Sequence, residues 1–152
     1  MALCIGRSRA VVAVLFILAV VGLLAASQTE SSRPTVVIHV TSGPENLVAI
    51  ERAYQMARAG LKEQRNVVLY FSQGGTQTAV RRFPREMRID ARSSYWQRFQ
   101  DLIHEGARPV ICGDSASLLG IQDGEFFQNT EITNDDRAIY RITGTRATVW
   151  TF

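Results

Sequence analysis

Apolar runs of strand length recur along the chain. TVVIHV (35–40), NVVLYF (66–71), PVIC (109–112) and ATVWTF (147–152) are short, β-branched or aromatic, and bounded by turn residues, the pattern of buried strands. Thr130 to Thr133 reads as a shorter fourth strand in chain order. Between these runs the spacing changes to that of helices. From Glu45 to Leu61, Leu47, Ile50, Tyr54, Ala57 and Leu61 fall on one helix face, with Thr41 or Ser42 available as a cap. Ser93 or Ser94 caps a second helix from Tyr95 to about Glu105, stopped at Gly106. Short helices are predicted over Gln77–Arg82, Ser115–Leu119 (ending at Gly120) and Asp135–Ile142, with a helical turn over Asp123–Phe127. Phe83–Arg92 is irregular and charged. Strands that are apolar throughout and alternate with helices predict a parallel sheet covered on both faces. The expected fold is α/β, three-layer α/β/α, with a mainly parallel five-stranded sheet. Val37, Val67, Leu69, Val110 and Val149 are its expected buried strand residues.

The start of the chain follows different rules. Arg7 and Arg9 precede an uninterrupted apolar run of 15 residues, Ala10–Leu24, which leads to the small residues Ala25, Ala26 and Ser27. A positive start, an apolar core and a small-residue exit describe a signal peptide over residues 1–27. The run is short for a membrane span of about 20 residues. The domain is therefore expected beyond the membrane, periplasmic or secreted, or membrane-anchored by its N-terminus if the leader is uncleaved. Residues 28–34 form a polar linker ending at Pro34, and 35–152 one domain.

Charge narrows the partners. The chain has 17 basic and 14 acidic residues. Setting aside Arg7 and Arg9 leaves 15 against 14, so the domain is nearly neutral and lacks the one-sided basic footprint of a nucleic-acid binder. Of the two cysteines, Cys4 lies in the leader and Cys112 in the domain. A single cysteine excludes an internal disulfide, and with two separated histidines no metal site is expected. Neither GxGxxG nor GxxxxGK is present, and no cofactor is expected, although the Gly74–Gly75 loop could hold an anion on its amides.

In parallel sheets the ligand crevice lies beyond the carboxyl ends of the strands. Here that means the loops 41–46, 72–76 and 113–117. Cys112 ends a strand and precedes a helix start, where backbone amides and the helix dipole favour a thiolate. The alternative is a small apolar residue closing a buried strand. His39, late in the first strand, is a candidate neighbour or a hydrogen-bonded core residue. Asp114 would oppose the thiolate if its charge faced the sulfur. His104 and the arginine-rich stretch 81–92 read as surface features.

The order and spacing of VVIHVTSGPEN, NVVLYFSQGG, VICGDSASLLGI and the closing ATVWTF resemble the DsrE/DsrF family, which includes sulfur-relay subunits of tRNA thiolation and of dissimilatory sulfur oxidation. In the relay members the acceptor cysteine ends a strand, with Gly and an aliphatic residue eight and nine positions on; here Cys112 precedes Gly120 and Ile121 at those distances. The resemblance covers Thr35 to Phe152. It implies homo-oligomers, trimers or hexamers. It also implies a sulfur carrier that takes sulfane sulfur as a persulfide on Cys112 and exchanges it with a protein donor or acceptor, with His39, Gly113, Asp114 and Ser115 as candidate site neighbours. Two features depart from the family: this chain looks exported, and Ser115 stands where some relatives carry a second cysteine. The alternative function is a non-catalytic exported binding or assembly module with Cys112 structural.

Overall fold

A computed structural model describes residues 33–81, 87, 93–134 and 147–152. Pro34–Phe152 forms one compact unit. Five strands carry it: β1 (Thr35–Val40), β2 (Asn66–Phe71), β3 (Arg108–Cys112), β4 (Glu131–Thr133) and β5 (Ala147–Thr151). Every pairing is parallel, in the order β4-β3-β2-β1-β5. This is the α/β class that the alternation of strand and helix patterns points to.

Two helices close one face. Helix α1 (Leu47–Lys62) starts at Asn46, whose side-chain oxygen accepts the Ala49 N–H at 3.1 Å. Asn46, not Thr41 or Ser42, is therefore the cap; the Thr41 hydroxyl instead donates to the Phe152 carbonyl at 2.7 Å. Helix α2 (Tyr95–His104) is capped by Ser94, as its sequence suggests. Alternation in the strands sends Val36, Ile38, Val40, Val67, Leu69, Phe71 and Ile111 to this face. There they meet Ile50, Ala53, Tyr54 and Ala57 of α1 and Phe99 and Leu102 of α2. Phe99 is the hub, with ring centroids 5.7 Å from Phe71, 6.2 Å from Tyr54 and 4.6 Å from Phe127. The alternate residues of the same strands, Val37, Val68, Tyr70 and Val110, form a smaller buried cluster on the opposite face, with Cys112 and Ala147 against it. The helix expected over Asp135–Ile142 lies outside the described residues, as do the leader and most of 82–92.

Two expectations change. Residues 73–79 form a 3₁₀ helix directly after β2, in place of a helix over Gln77–Arg82. This segment packs closely on the end of β1: a Cβ on Gly75 would stand 2.1 Å from the Val40 carbonyl oxygen. Val149 is 43 % exposed, because β5 is an edge strand that no second layer covers among the described residues. Val37, Val67, Leu69 and Val110 are buried as expected.

Candidate functional site

The parallel sheet brings the carboxyl ends of β1, β2 and β3 side by side, and the loops that follow are tied to one another. The Gly75 N–H donates to the Thr41 carbonyl at 2.9 Å, and Ser72 N–H to the Val40 carbonyl at 3.1 Å. The Phe152 carbonyl accepts from Thr41 N–H at 2.8 Å, and Phe152 N–H donates to His39 at 2.9 Å. The Gly75 amide is thus spent inside the fold, which takes it out of the expected anion cradle.

Cys112 is a free thiol, partly exposed, at the end of β3. Helix α3 (Gly113–Leu118) begins at the next residue. It is only six residues long, so its macrodipole is small and individual hydrogen bonds carry the effect. Burial pushes the Cys112 thiol up, but hydrogen bonds overcome it: from the Ser115 hydroxyl and amide, from the Tyr70 hydroxyl and from the Asp114 amide. The net result is a thiol pKa below its ordinary value, because each donor favours the anion. The Ser115 hydroxyl is well prepared for this. Its oxygen accepts the Gln73 N–H at 2.9 Å, which leaves its own proton to donate to sulfur. Gln73 reaches that position with φ at +51°, a left-handed conformation that costs a non-glycine residue energy and persists only where its surroundings hold it.

The other expected neighbours take distinct places. Asp114 is exposed on α3, so water screens its carboxylate, while its amide serves the sulfur. Gly113 is buried, and a Cβ there would fall 1.6 Å from Asn134 Oδ1. Its role is to let the chain turn closely past β4. His39 is paired in register with Tyr70, which is paired with Val110. Two strand spacings therefore separate the histidine from β3, about 10 Å. Its Nε2 lies 2.8 Å from Ser72 Oγ and its ring centroid 5.0 Å from that of Tyr70. Burial lowers its pKa, so the imidazole is neutral near pH 7.

Nothing in the sequence singles out Tyr70. In NVVLYF it looks like another core aromatic. Strand alternation places it on the face opposite Leu69 and Phe71, but only the β2–β3 register reveals that this brings it to Cys112. A cleft of about 430 Å³ lined by Trp96, Phe99, Ile103, Phe127 and others lies at α2, away from this cluster. Among the described residues no three His, Cys, Asp or Glu side chains converge as metal ligands, and no helix is long and apolar enough to cross a membrane.

The model of the DsrE/DsrF-like family matches residues 35–141. The chain belongs to the DsrE/DsrF-like family. Solved structures agree on the fold. The ychN protein from E. coli superimposes with a TM-score of 0.61 at 15% identity, covering 79% of this chain and 99% of that one. A protein of unknown function from Methanobacterium thermoautotrophicum, MTH1491, gives 0.59 at 15% identity, with 78% and 99% covered. No curated protein sequence matches the chain. DsrE/DsrF-like proteins are generally linked to sulfur relay.

Proposed function

We propose that this protein is an exported sulfur carrier whose acceptor is Cys112. The observation that carries the reading is a free, partly exposed thiol at the carboxyl edge of the sheet, directly before a helix start, where neighbouring hydroxyl and amide groups lower its pKa. A thiolate is the form that attacks sulfur. The step is an exchange without net redox change. The Cys112 thiolate attacks the outer sulfur of a donor persulfide, the donor's S–S bond breaks, and its inner sulfur leaves with the electron pair and takes up the persulfide proton. Cys112 then carries a persulfide anion; after reprotonation an acceptor thiolate attacks its outer sulfur, the S–S bond breaks, and Cys112 leaves as the thiolate.

A partly exposed sulfur suits delivery by another protein. Leu118 is 88 % exposed and Leu119 40 % on the same short helix and its end, which supplies apolar contact beside the thiol for such a partner. Export rests on the leader at residues 1–27, and assembly into homo-oligomers rests on family resemblance.

Intact mass after incubation with inorganic polysulfide tests the reading. The wild type gains one sulfur atom, and Cys112→Ser gains none while unfolding at an unchanged denaturant concentration. A reactive thiol that takes up no sulfur would leave the non-catalytic module as the function.

A further inference from the structure

The sulfur-carrier reading leaves open what His39 does, since it faces the site from one strand too far away. Three observations meet at Tyr70. It is the central residue of the row His39–Tyr70–Val110 across three paired strands. Its side chain is buried in the same cluster that Cys112 packs against. Its ring lies against the imidazole, at a tilt of 37°, and its hydroxyl is among the groups that lower the pKa of Cys112. The imidazole is itself held from both sides, by Ser72 Oγ at 2.8 Å and by Thr151 Oγ1 at 3.4 Å from Nδ1.

We infer that Tyr70 is a catalytic residue of the sulfur-transfer site, its hydroxyl donating to the Cys112 sulfur, and that His39 is a positioning residue acting on that sulfur only through the Tyr70 ring. This deepens the sulfur-carrier reading and rests on it. The chemistry is direct. A phenol donates one hydrogen bond, and a donor aimed at sulfur favours the anion both before loading, on the thiolate, and after it, on the persulfide. A buried donor makes a stronger contact than one exposed to water. Tyr70 is 7 % exposed, a largely dry setting. His39 contributes rigidity: a neutral ring pinned by two hydroxyls keeps the tyrosine in the rotamer that reaches β3.

From α3 the Ser115 hydroxyl serves the same sulfur, and no charged group on the neighbouring elements takes the place of either donor. Among the described residues, α3 contributes Asp114, which is exposed, and β4 pairs the uncharged Thr133 with Cys112. Glu131, one pair back, is engaged with Arg108 at 3.3 Å.

The test is the pH profile of Cys112 alkylation by iodoacetamide, in the full chain with Cys4→Ser so that one thiol reports. Tyr70→Phe removes the hydroxyl and keeps the ring. Its alkylation midpoint should rise by roughly half to one pH unit, the worth of one hydrogen bond, with the rate well above the midpoint unchanged. His39→Ala should raise the midpoint by less. The double variant should match Tyr70→Phe alone, because two residues acting through one bond are not additive. An unmoved midpoint in Tyr70→Phe overturns the assignment, and additive shifts overturn the role given to His39. If Tyr70→Phe fails to fold, His39→Ala still has to raise the midpoint, and its failure to do so is decisive. Alkylation requires no sulfane sulfur, so a shifted midpoint without persulfide loading would refute the carrier reading and leave Tyr70 as the thiol's donor. Loading with an unmoved midpoint would do the reverse.

Discussion

The two faces of this sheet are made by alternate residues of the same strands, yet they do different work. Leu69 and Phe71 point into a layer of helices and aromatic rings. Tyr70, between them, points to the face where Cys112 lies. The first face is large, apolar and closed by α1 and α2. The second has four buried residues in its cluster, and its carboxyl end turns polar, with His39, Tyr70 and Cys112 on three strands and Ser72 and Ser115 just beyond them. A period of two lets one strand supply stability and chemistry without trading one for the other. Substitutions on the first face should therefore change stability and leave the thiol alone, and those at the end of the second should do the opposite.

The strongest way to break that division is at Phe99. It is fully buried against three other aromatic rings, so Phe99→Ala should cost about 3–5 kcal/mol in denaturant unfolding. Wherever the variant is folded, the pH midpoint of Cys112 alkylation should not move. A moved midpoint would mean that the two faces are coupled through the sheet.

Centre and edge differ in the same way. Leu69→Ala, at a fully buried position in β2, should cost about 2–5 kcal/mol. Val149→Ala, on the exposed edge strand β5, should stay within about 1 kcal/mol. Equal losses would show that β5 is covered in solution.

Much of this was legible from residue patterns. The strands at 35–40, 66–71, 109–112 and 147–152, the main helices and the candidate cysteine all follow from runs and spacing. What sequence could not supply was pairing. A run such as ATVWTF reads the same at an edge as at a centre, which is why Val149 was expected to be buried. Likewise, nothing local distinguishes Tyr70 from Phe71 until β3 is known to lie beside β2. Ser115 stood out in the sequence for lacking a thiol. Its function as a donor depends on Gln73, 42 residues away in the chain. The cap of α1 was misjudged for a similar reason: the Thr41 hydroxyl is drawn off by Phe152, at the far end of the sequence.

On the second face, Ser115→Ala should raise the alkylation midpoint of Cys112 by up to roughly one pH unit and change unfolding by less than about 1 kcal/mol. An unchanged midpoint would remove the hydroxyl from the set of donors that holds the thiolate.

The smallest effect is the dependence of stability on pH. The folded protein gives up the Cys112 proton at a pH where the unfolded chain, with a thiol pKa near 8.5, still holds it. Stability relative to Cys112→Ser should therefore rise as pH climbs through the folded pKa towards that value, and should be lost as pH falls back through it. His39 has the same sign in another window. Its folded pKa is depressed by burial, so the stability it contributes is complete above about 6.5 and is lost as pH falls through the folded value. His39→Gln should flatten that acid limb. If the limb persists unchanged, the buried neutral imidazole is not its source.

The central claim is that Cys112 takes up sulfane sulfur as a thiolate prepared by its neighbours. The most direct measurement is the initial rate of persulfide formation on Cys112 as a function of pH, read by intact mass with inorganic polysulfide as donor and corrected for the donor's own ionisation. The account predicts gain of a single sulfur atom, with a half-rise that coincides with the alkylation midpoint and lies below the value of about 8.5 for free cysteine. A thiol that titrates by alkylation but gains no sulfur at any pH, or whose half-rise follows free cysteine, would contradict it.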